Sequence, residues 1–309
     1  MIDLKSGNSG YGVESEASVC AIVINYFGAE LTRNCITSLA TEGLQKILLV
    51  DNSASDEQRN SLADIVYETQ INHADLLIEV INSDENLGFG RAVNAAIVKN
   101  EASGFQPSYY LLMHNAAVAA PGLVGKLLLP ANSPSQPAQV SPMILWDGVE
   151  FCTYWYQPYL GHVSRRPFPG SLTYLSGCCL LADRVLLNEG RLFDERFFMY
   201  GEDIALTEHA RSMAREIACA GDARVIHEGS ATAKVGSDFY EYHVAYGHII
   251  LGFILSDGYV QTLFNTIGRC FYLSLRALMR TLRARSLSPA LALVRAWRDV
   301  VSSRAWSRS

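Results

Sequence analysis

The chain has 309 residues, 49% of them hydrophobic, which is enough for one large domain with an appendage. Its net charge is −6, but residues 257–309 hold nine arginines and two acids, so that segment carries +7 and the rest of the chain −13. The basic end favours contact with an anionic surface, and no nucleic-acid partner is expected.

Seven cysteines occur without a CxxC pair, which is typical of a reduced, intracellular protein, so a cytoplasmic location is expected. Residues 1–17 are polar and rich in Gly and Ser, and they are predicted to form a flexible tail. They lack the basic start and the apolar run of a signal peptide. No apolar run reaches the roughly 18 residues of a membrane-spanning helix.

Short apolar runs alternate with helical patterns in the first part of the chain. The predicted elements are, in order, a strand at 19–26, a helix at 31–40, a strand at 46–51, a strand that begins at 78, a helix at 91–100 and a strand at 109–115. This alternation predicts an α/β fold with a mostly parallel, Rossmann-like sheet flanked by helices.

Polar side chains follow the predicted strands, where such sheets hold their ligands. One ligand could touch all of them: Asn25, Asp51, Asn52, Asn82, Asn86, His114 and Asn115.

The segment 130–175 is rich in proline and aromatic residues. Its aromatic side chains are interpreted either as the packed underside of irregular surface strands or as a platform that stacks on the sugar rings of an acceptor.

The stretch "ENLGFGRAVN" (85–94) places a glycine loop before a predicted helix. It is not a dinucleotide fingerprint, because Val93 stands where a third glycine belongs. The loop is either a phosphate cradle of backbone N–H groups, with Arg91 adding positive charge, or a simple tight turn.

The stretch "RLFDERFFMYGEDIALTEHA" (191–210) is the most specific segment of the sequence. Glu202 and Asp203 follow an aromatic run, and a carboxylate held there could act as a general base. Alternatively, the acids only cap a helix. Further on, His227 follows a predicted strand and is either a structural or a ligand-binding side chain.

Together these motifs, from "VINYFG" and "ILLVDNSASD" to "VIHEGSAT", resemble the family 2 inverting glycosyltransferases of GT-A fold. Within that family, they are most similar to the bacterial rhamnosyltransferase-like subgroup of cell-surface polysaccharide assembly. The resemblance covers roughly residues 18–250.

The resemblance implies a nucleotide-sugar donor such as dTDP-rhamnose and a glycan or polyprenyl-linked acceptor. It implies that Asp203 is the catalytic base and that His227 completes the shell of a divalent metal, Mg²⁺ or Mn²⁺. Residues implied in donor binding are Asn25, Asp51, Asn86, Gly88, Arg91, Asn94, Asn115 and Glu202.

Two positions depart from the family pattern. Ala116 stands where a metal-binding Asp is expected, and Ala205 stands where a second acid is common. Alanine cannot coordinate a metal ion, which prefers oxygen ligands. Three explanations are open: a metal-independent enzyme, an engineered loss of the site, or a catalytically impaired protein that binds nucleotide-sugar as the partner of an active transferase. We expect the fold to tolerate an Asp at position 116, because the end of this strand should face the cleft and solvent.

The end of the chain is predicted to be helical and amphipathic. Phe271, Leu275, Leu278 and Leu282 line one face of a helix, with arginines on a nearly opposite arc. These helices pack on the catalytic domain or on a second subunit with solvated arginines, or they lie on an anionic membrane. The predicted organisation is therefore a tail (1–17), a GT-A domain (18–240) and a helical region (241–309) that docks peripherally on the inner face of the membrane or forms a homodimer.

Overall fold

The computed structural model describes residues 17–228, 236–303 and 305. The predicted N-terminal tail lies outside the described residues except for residue 17, and so does the "GSAT" part of the last motif, at 229–232.

The first part of the chain forms the alternating strands and helices that the sequence predicts. The sequence analysis did not predict α2, which is largely polar and buries only Leu62, Ile65, Val66 and Thr69. Ser55 caps α2, since its Oγ accepts a hydrogen bond from the backbone N–H of Gln58. The elements are β1 (Val19–Asn25), α1 (Ala29–Ala40), β2 (Lys46–Asp51), α2 (Asp56–Asn72), β3 (Leu77–Asn82), α3 (Phe89–Ala102), β4 (Tyr109–His114), β5 (Ala117–Ala119) and α4 (Leu123–Ala131).

The rest of the chain supplies shorter strands and then helices. A 3₁₀ turn at Arg184–Leu186 follows the last of the short strands. Residues 191–201, called the aromatic loop below, then lead to the next helix. The elements are β6 (Gln139–Trp146), β7 (Val149–Phe151), β8 (Thr153–Gln157), β9 (His162–Ser164), β10 (Leu172–Leu175), β11 (Cys179–Asp183), α5 (Glu202–Ser212), β12 (Ile217–His227), α6 (Asp238–Ile254), α7 (Tyr259–Ala284) and α8 (Ser288–Ser302). The predicted domain boundary at residue 240 falls within the first turn of α6.

The central sheet has the strand order β3-β2-β1-β4-β11-β6-β12-β5, with β7 paired to β6. β1, β2, β3 and β4 are parallel, as predicted. β11 is antiparallel to both of its neighbours, and β5 is antiparallel to β12, so the sheet as a whole is mixed. β8, β9 and β10 form a separate small sheet.

Alternate residues of the strands face two separate cores, as expected for a sheet with helices on both faces. Val19, Ala21 and Val23 face the core shared with α1, α2 and α4. Cys20 and Ile22 face the core shared with α3 and α5. A third core joins α6, α7 and α8 to Tyr156, Tyr174 and Phe197 of the body, so the C-terminal helices are packed onto the body.

The helix α7 packs in an orientation opposite to that of an ordinary surface helix. Its buried residues include Asn265 and Arg269, whereas Phe271 and Leu282 are exposed. The helix is therefore packed on the body, as one of the two interpretations expects, but Arg269 is buried rather than solvated. Among the described residues, no helix is both long and apolar enough to cross a membrane.

Cys152 and Cys219 form a disulfide, which joins the segment between β7 and β8 to β12. The expectation that all cysteines are reduced is wrong for this pair. The other five cysteines, among them the buried Cys35 and Cys179, are free.

Candidate functional site

The polar residues predicted at the strand ends converge on one edge of the sheet. Asn25 lies in register with Asp51, and Asp51 with Asn82, because the parallel strands end together. A chain of side-chain hydrogen bonds connects this edge: Asn115 Nδ2 donates to Thr32 Oγ1, Thr32 Oγ1 to Asn25 Oδ1, and Asn25 Nδ2 to Asp51 Oδ1, at 2.9–3.1 Å. The fold thus brings together three of the predicted donor-binding residues.

Asp51 lies beneath this edge rather than on its surface. The residue is fully buried, and its Oδ2 has no hydrogen-bond partner among the described residues. The side chains exposed next to it are Tyr26 and Phe27, whose rings meet edge to face at 5.0 Å. A planar ligand at this edge would therefore meet these two rings first, and the sequence analysis did not single them out.

The glycine loop before α3 is closely packed. Gly88 has φ of 78°, and a Cβ there would lie 2.2 Å from the carbonyl oxygen of Phe198. The Phe89 N–H donates to that same carbonyl at 2.9 Å, and the Gly88 N–H donates to Asn86 Oδ1 at 3.0 Å. Protein acceptors therefore take the N–H groups of Gly88 and Phe89, so these two groups are not free to bind a phosphate.

Arg91 and Asn94 hold the aromatic loop that leads to Glu202 and Asp203. Arg91 Nε donates to the carbonyl oxygen of Glu195 at 3.0 Å, and its side chain is otherwise exposed. Asn94 is buried: its Nδ2 donates to the carbonyl oxygen of Phe193 at 2.8 Å, and its Oδ1 accepts from the backbone N–H of Leu192 and of Phe193. Asn94 therefore positions this loop.

The two acids begin α5. The N-cap residue is Gly201, with φ of 117° and no side-chain cap, so the interpretation of Asp203 as a helix cap is wrong. Asp203 Oδ1 accepts a hydrogen bond from the Ile204 N–H at 2.9 Å, and the Gly177 N–H also bonds to this carboxylate. These two donors hold the carboxylate in one place on the wall of a cleft.

Burial controls the protonation of both acids. It raises the pKa of Asp203 to about 6, against the opposing effect of the backbone N–H groups that bond to it. Burial, together with the charge of Asp203, raises the pKa of Glu202 to about 8, and Glu202 Oε2 has no hydrogen-bond partner among the described residues. Because the two carboxyls interact, they titrate as a pair, and the pair keeps a proton to a higher pH than exposed acids do.

Two histidines face each other across the strand ends. The rings of His114 and His227 have centroids 5.4 Å apart, and both line the same cleft as Asp203. Burial, followed by the proximity of His227, lowers the pKa of His114 to about 4, and burial also lowers the pKa of His227. Both imidazoles are neutral at pH 7, and His114 Nδ1 has no partner among the described residues.

These residues do not make a good site for Mg²⁺ or Mn²⁺. Across residues 17–228 and 236–303, no three His, Cys, Asp or Glu side chains group in a way that could hold a metal ion. Ala116 sits in the turn between β4 and β5, and it offers only a backbone oxygen, which accepts from the Glu228 N–H at 2.9 Å. Two neutral histidines without a carboxylate are a weak donor set for such hard cations.

Ala116 and Ala205, the two alanines that differ from the expected family pattern, are both packed against other residues. Ala116 is 2% exposed, so the expectation that this position faces solvent is wrong. Ala205 belongs to the third core, where an acid would be buried beside Ile249 and Ile250.

The cleft has a volume of about 590 Å³ and an aromatic wall. Trp146 and Tyr154, both in the proline-rich segment, line it, whereas Tyr156 of the same segment is buried in the third core. The far wall comes from α7, whose Tyr272 and Arg276 face the cleft. Neither residue was predicted to lie in the site, because both are about 70 positions beyond Asp203 and no local pattern indicates that α7 returns to the cleft.

Comparison with known proteins supports the sequence resemblance. No family model matches the chain. Over 198 residues the chain is 27% identical to the N-acetylglucosaminyl-diphospho-decaprenol L-rhamnosyltransferase of Mycobacterium tuberculosis, in each of two strains. The match covers 55% of this chain and 62% of the relative, so the chain matches less than two thirds of that protein.

Solved structures agree on the fold. The mannosyltransferase PcManGT of Pyrobaculum calidifontis, solved with GDP-Man and Mn²⁺, superposes with a TM-score of 0.55 at 15% identity and covers 92% of this chain and 87% of its own. GalNAc-T7, solved with UDP, GalNAc and Mn²⁺, superposes with a TM-score of 0.58 at 14% identity and covers 94% of this chain and 58% of its own. The chain therefore has the GT-A glycosyltransferase fold, and the resemblance seen in the sequence is confirmed at that level.

Proposed function

We propose that this protein transfers a sugar from a nucleotide-sugar donor to an acceptor hydroxyl with inversion at the anomeric carbon. The observation that carries the proposal is the Asp203 carboxylate, which two backbone N–H groups hold on the wall of a cleft in a GT-A fold. With its pKa raised to about 6, this carboxylate is ionised at neutral pH yet more basic than an ordinary Asp, as a general base requires.

In this reaction, Asp203 accepts the proton of the acceptor hydroxyl. The hydroxyl oxygen attacks the anomeric carbon from the face opposite the nucleotide, and the bond between that carbon and the diphosphate oxygen breaks. The exposed Arg91 guanidinium, which has no ion pair among the described residues, stabilises the leaving diphosphate. No step passes through a metal ion.

The nucleotide lies at the edge built by Asn25, Asp51 and Asn115. The rings of Tyr26 and Phe27 are exposed there, so the base stacks on them while the buried hydrogen-bond chain keeps the edge rigid. The donor sugar is rhamnose or a related deoxysugar, carried on dTDP. The support for this sugar is the name of the Mycobacterium tuberculosis relative.

The acceptor is a lipid-linked diphosphate sugar. Arg276 supports this class, because it lines the cleft together with Asp203 and has no ion pair within the part of the chain that the structure describes. A guanidinium at that place suits a phosphate group of the acceptor. The relative is named for a diphospho-decaprenol acceptor, which has this chemistry.

A second candidate function is that of a nucleotide-sugar-binding partner of an active transferase. The observation that favours it is that, among the residues the structure describes, no carboxylate groups with His114 and His227 to hold a metal ion, whereas both solved neighbours were determined with Mn²⁺.

Donor turnover separates the two functions. The purified chain is incubated with dTDP-rhamnose and a polyprenyl-diphosphate sugar, and the release of dTDP is followed. We expect transfer by the parent, a rate that falls as the pH drops through about 6, and a loss of roughly 10²–10⁴-fold in Asp203→Asn.

Donor binding, measured by thermal shift, should survive in Asp203→Asn, since the amide keeps the size of the side chain. Asp194→Asn is the control, because that carboxylate pairs with Arg196 in the same loop and does not line the cleft. Donor binding without turnover in the parent would establish the second function instead.

A further inference from the structure

One side of α7 is apolar and faces away from the protein over the length of the helix. The solvent-exposed fraction of the apolar residues on this side runs from 42% for Leu275 to 71% for Phe271. The spacing of three or four residues places them on a single face. The members of this outward face are Val260, Leu263, Phe264, Ile267, Phe271, Leu275, Leu278 and Leu282.

Buried polar contacts fix the orientation of α7. Arg269 is 1% exposed, and it donates to the carbonyl oxygen of His248 at 2.7 Å and to Tyr156 Oη at 3.0 Å. Arg280 Nε donates to the buried carboxylate of Glu241 at 2.7 Å. Rotating α7 to bury its apolar face would leave these charged groups buried without partners, or expose them and break the contacts. The outward face is therefore a stable feature of the fold.

The following helix extends the same kind of surface. α8 buries Ala292, Ala296 and Val300 against the body. It exposes Leu287, Leu291, Val294 and Val301. Two helices that pack against each other thus both present apolar side chains outward.

Two partners could cover the outward face of α7: a second copy of this chain or a lipid surface. The charge next to the face favours the lipid surface. Arg283 and Arg285 are exposed at the C-terminal end of α7 and form no ion pair within the described residues. In a two-fold dimer through this face, two such basic segments would lie together and repel each other. An anionic lipid surface attracts the arginines and accepts the apolar side chains at once.

We propose that the outward face of α7 and α8 docks on the surface of an anionic lipid bilayer, with α7 lying in the plane of the interface. The inner side of the same helix contributes Tyr272 and Arg276 to the cleft. The cleft therefore lies about one helix diameter, roughly 10 Å, from the lipid. The placement of the acceptor rests on the proposed function. At this distance, the diphosphate of a lipid-linked acceptor reaches Arg276 while its lipid chain stays in the bilayer.

The test uses the full chain and sedimentation of vesicles. We expect strong binding to vesicles of equal parts phosphatidylglycerol and phosphatidylcholine, and binding at least about tenfold weaker to phosphatidylcholine alone or in high salt. The variant Ile267→Gln, Phe271→Gln, Leu278→Gln should lose at least about 100-fold in vesicle affinity, because three apolar side chains no longer enter the bilayer.

The matched control is Tyr67→Gln, Ile71→Gln, Leu129→Gln, which changes three equally exposed apolar residues on α2 and α4. It should bind vesicles as the parent does. Equal vesicle binding by the parent and the α7 variant would overturn the proposal. A parent dimer in solution that binds no vesicles, and that the α7 variant dissociates, would overturn it in favour of a second copy. Because vesicle binding needs no donor, neither result depends on whether sugar transfer occurs.

Discussion

Glu202 is the acid whose pKa burial raises most in the described residues. Its carboxyl is buried without a full set of partners, and its pKa is raised from 4.5 to about 8 by burial and then by Asp203. In the unfolded chain this group ionises at its ordinary pKa, while in the folded protein it keeps its proton. Its contribution to stability therefore falls as the pH rises from about 4.5 to about 8.

Glu202→Gln should remove this pH dependence, since the amide resembles the protonated acid. We expect its Tm to match that of the parent near pH 5 and to exceed it increasingly towards pH 8. Glu208→Gln, on the same helix but partly exposed, is the control and should follow the parent. A constant Tm difference between Glu202→Gln and the parent across this range would contradict the raised pKa.

Ala116 allows a test of whether a carboxylate at this position creates a metal site. Ala116→Asp places a carboxylate at a position that is 2% exposed, so we expect a lower Tm in the absence of metal. If the new carboxylate joins His114 and His227 around an ion, Mn²⁺ should raise the Tm of the variant, while the Tm of the parent should not respond.

Thermal shift with Mn²⁺ and with a chelator makes this comparison without any substrate. Ala120→Asp, just beyond β5, controls for charge alone. A parent whose Tm rises with Mn²⁺ would show that other ligands hold the ion and that the alignment of Ala116 with the family's Asp is wrong.

At the scale of single residues, the sequence is a good guide to which polar side chains lie close together. It is a poorer guide to the atoms that each of them contacts. Asn25, Asp51 and Asn115 lie at one edge of the central sheet, because each is at or just after the carboxyl end of a parallel strand. Whether Asn94 meets a ligand or holds the loop depends on the backbone of residues 192–193, which lies about a hundred positions away in sequence. No local pattern encodes such a contact.

At the scale of elements, the loop before α3 shows why its glycine is required. Gly88→Ala combines a positive φ with a Cβ placed 2.2 Å from the carbonyl oxygen of Phe198. Gly104→Ala has a similar φ of 86° but open space around its Cβ, so it isolates the backbone strain. We expect a loss of roughly 1–2 kcal/mol for Gly104→Ala and of at least about 3 kcal/mol for Gly88→Ala.

Urea denaturation of the three proteins measures both losses. The difference between the two variants gives the free energy of the close approach between the glycine loop and the aromatic loop. Equal losses would mean that Phe198 moves aside freely and that the two loops are not coupled.

The elements themselves were predictable where hydrophobic periodicity is strong. β1, β2, β4 and α3 lie where the pattern places them, since each is an apolar run with clear ends. α2 was missed because few of its residues are buried. The orientation of α7 was left open between packing on the body and contact with a membrane, because no local pattern shows that Arg269 and Arg280 find buried partners on the body.

At the scale of the whole molecule, one arginine ties the C-terminal helices to the body. Arg269 reaches from α7 to Tyr156 on β8 and to the backbone of α6, and no carboxylate lies within ion-pair distance in the described part of the chain. Arg269→Ala would remove two hydrogen bonds and leave a cavity beside Gly252, whose own Cβ position is only 3.0 Å from the arginine Cδ.

We expect Arg269→Ala to destabilise the protein by at least about 3 kcal/mol, with the loss concentrated in the C-terminal helices. Hydrogen exchange should show faster opening of α6, α7 and α8, while β1 and β2 keep the protection of the parent. Arg283→Ala, which removes an exposed arginine of the same helix without an ion pair, should leave both stability and exchange unchanged. Uniformly faster exchange in Arg269→Ala would show instead that the helices and the sheet unfold as one unit, and that the buried arginine stabilises the whole fold rather than the docking of its C-terminal part.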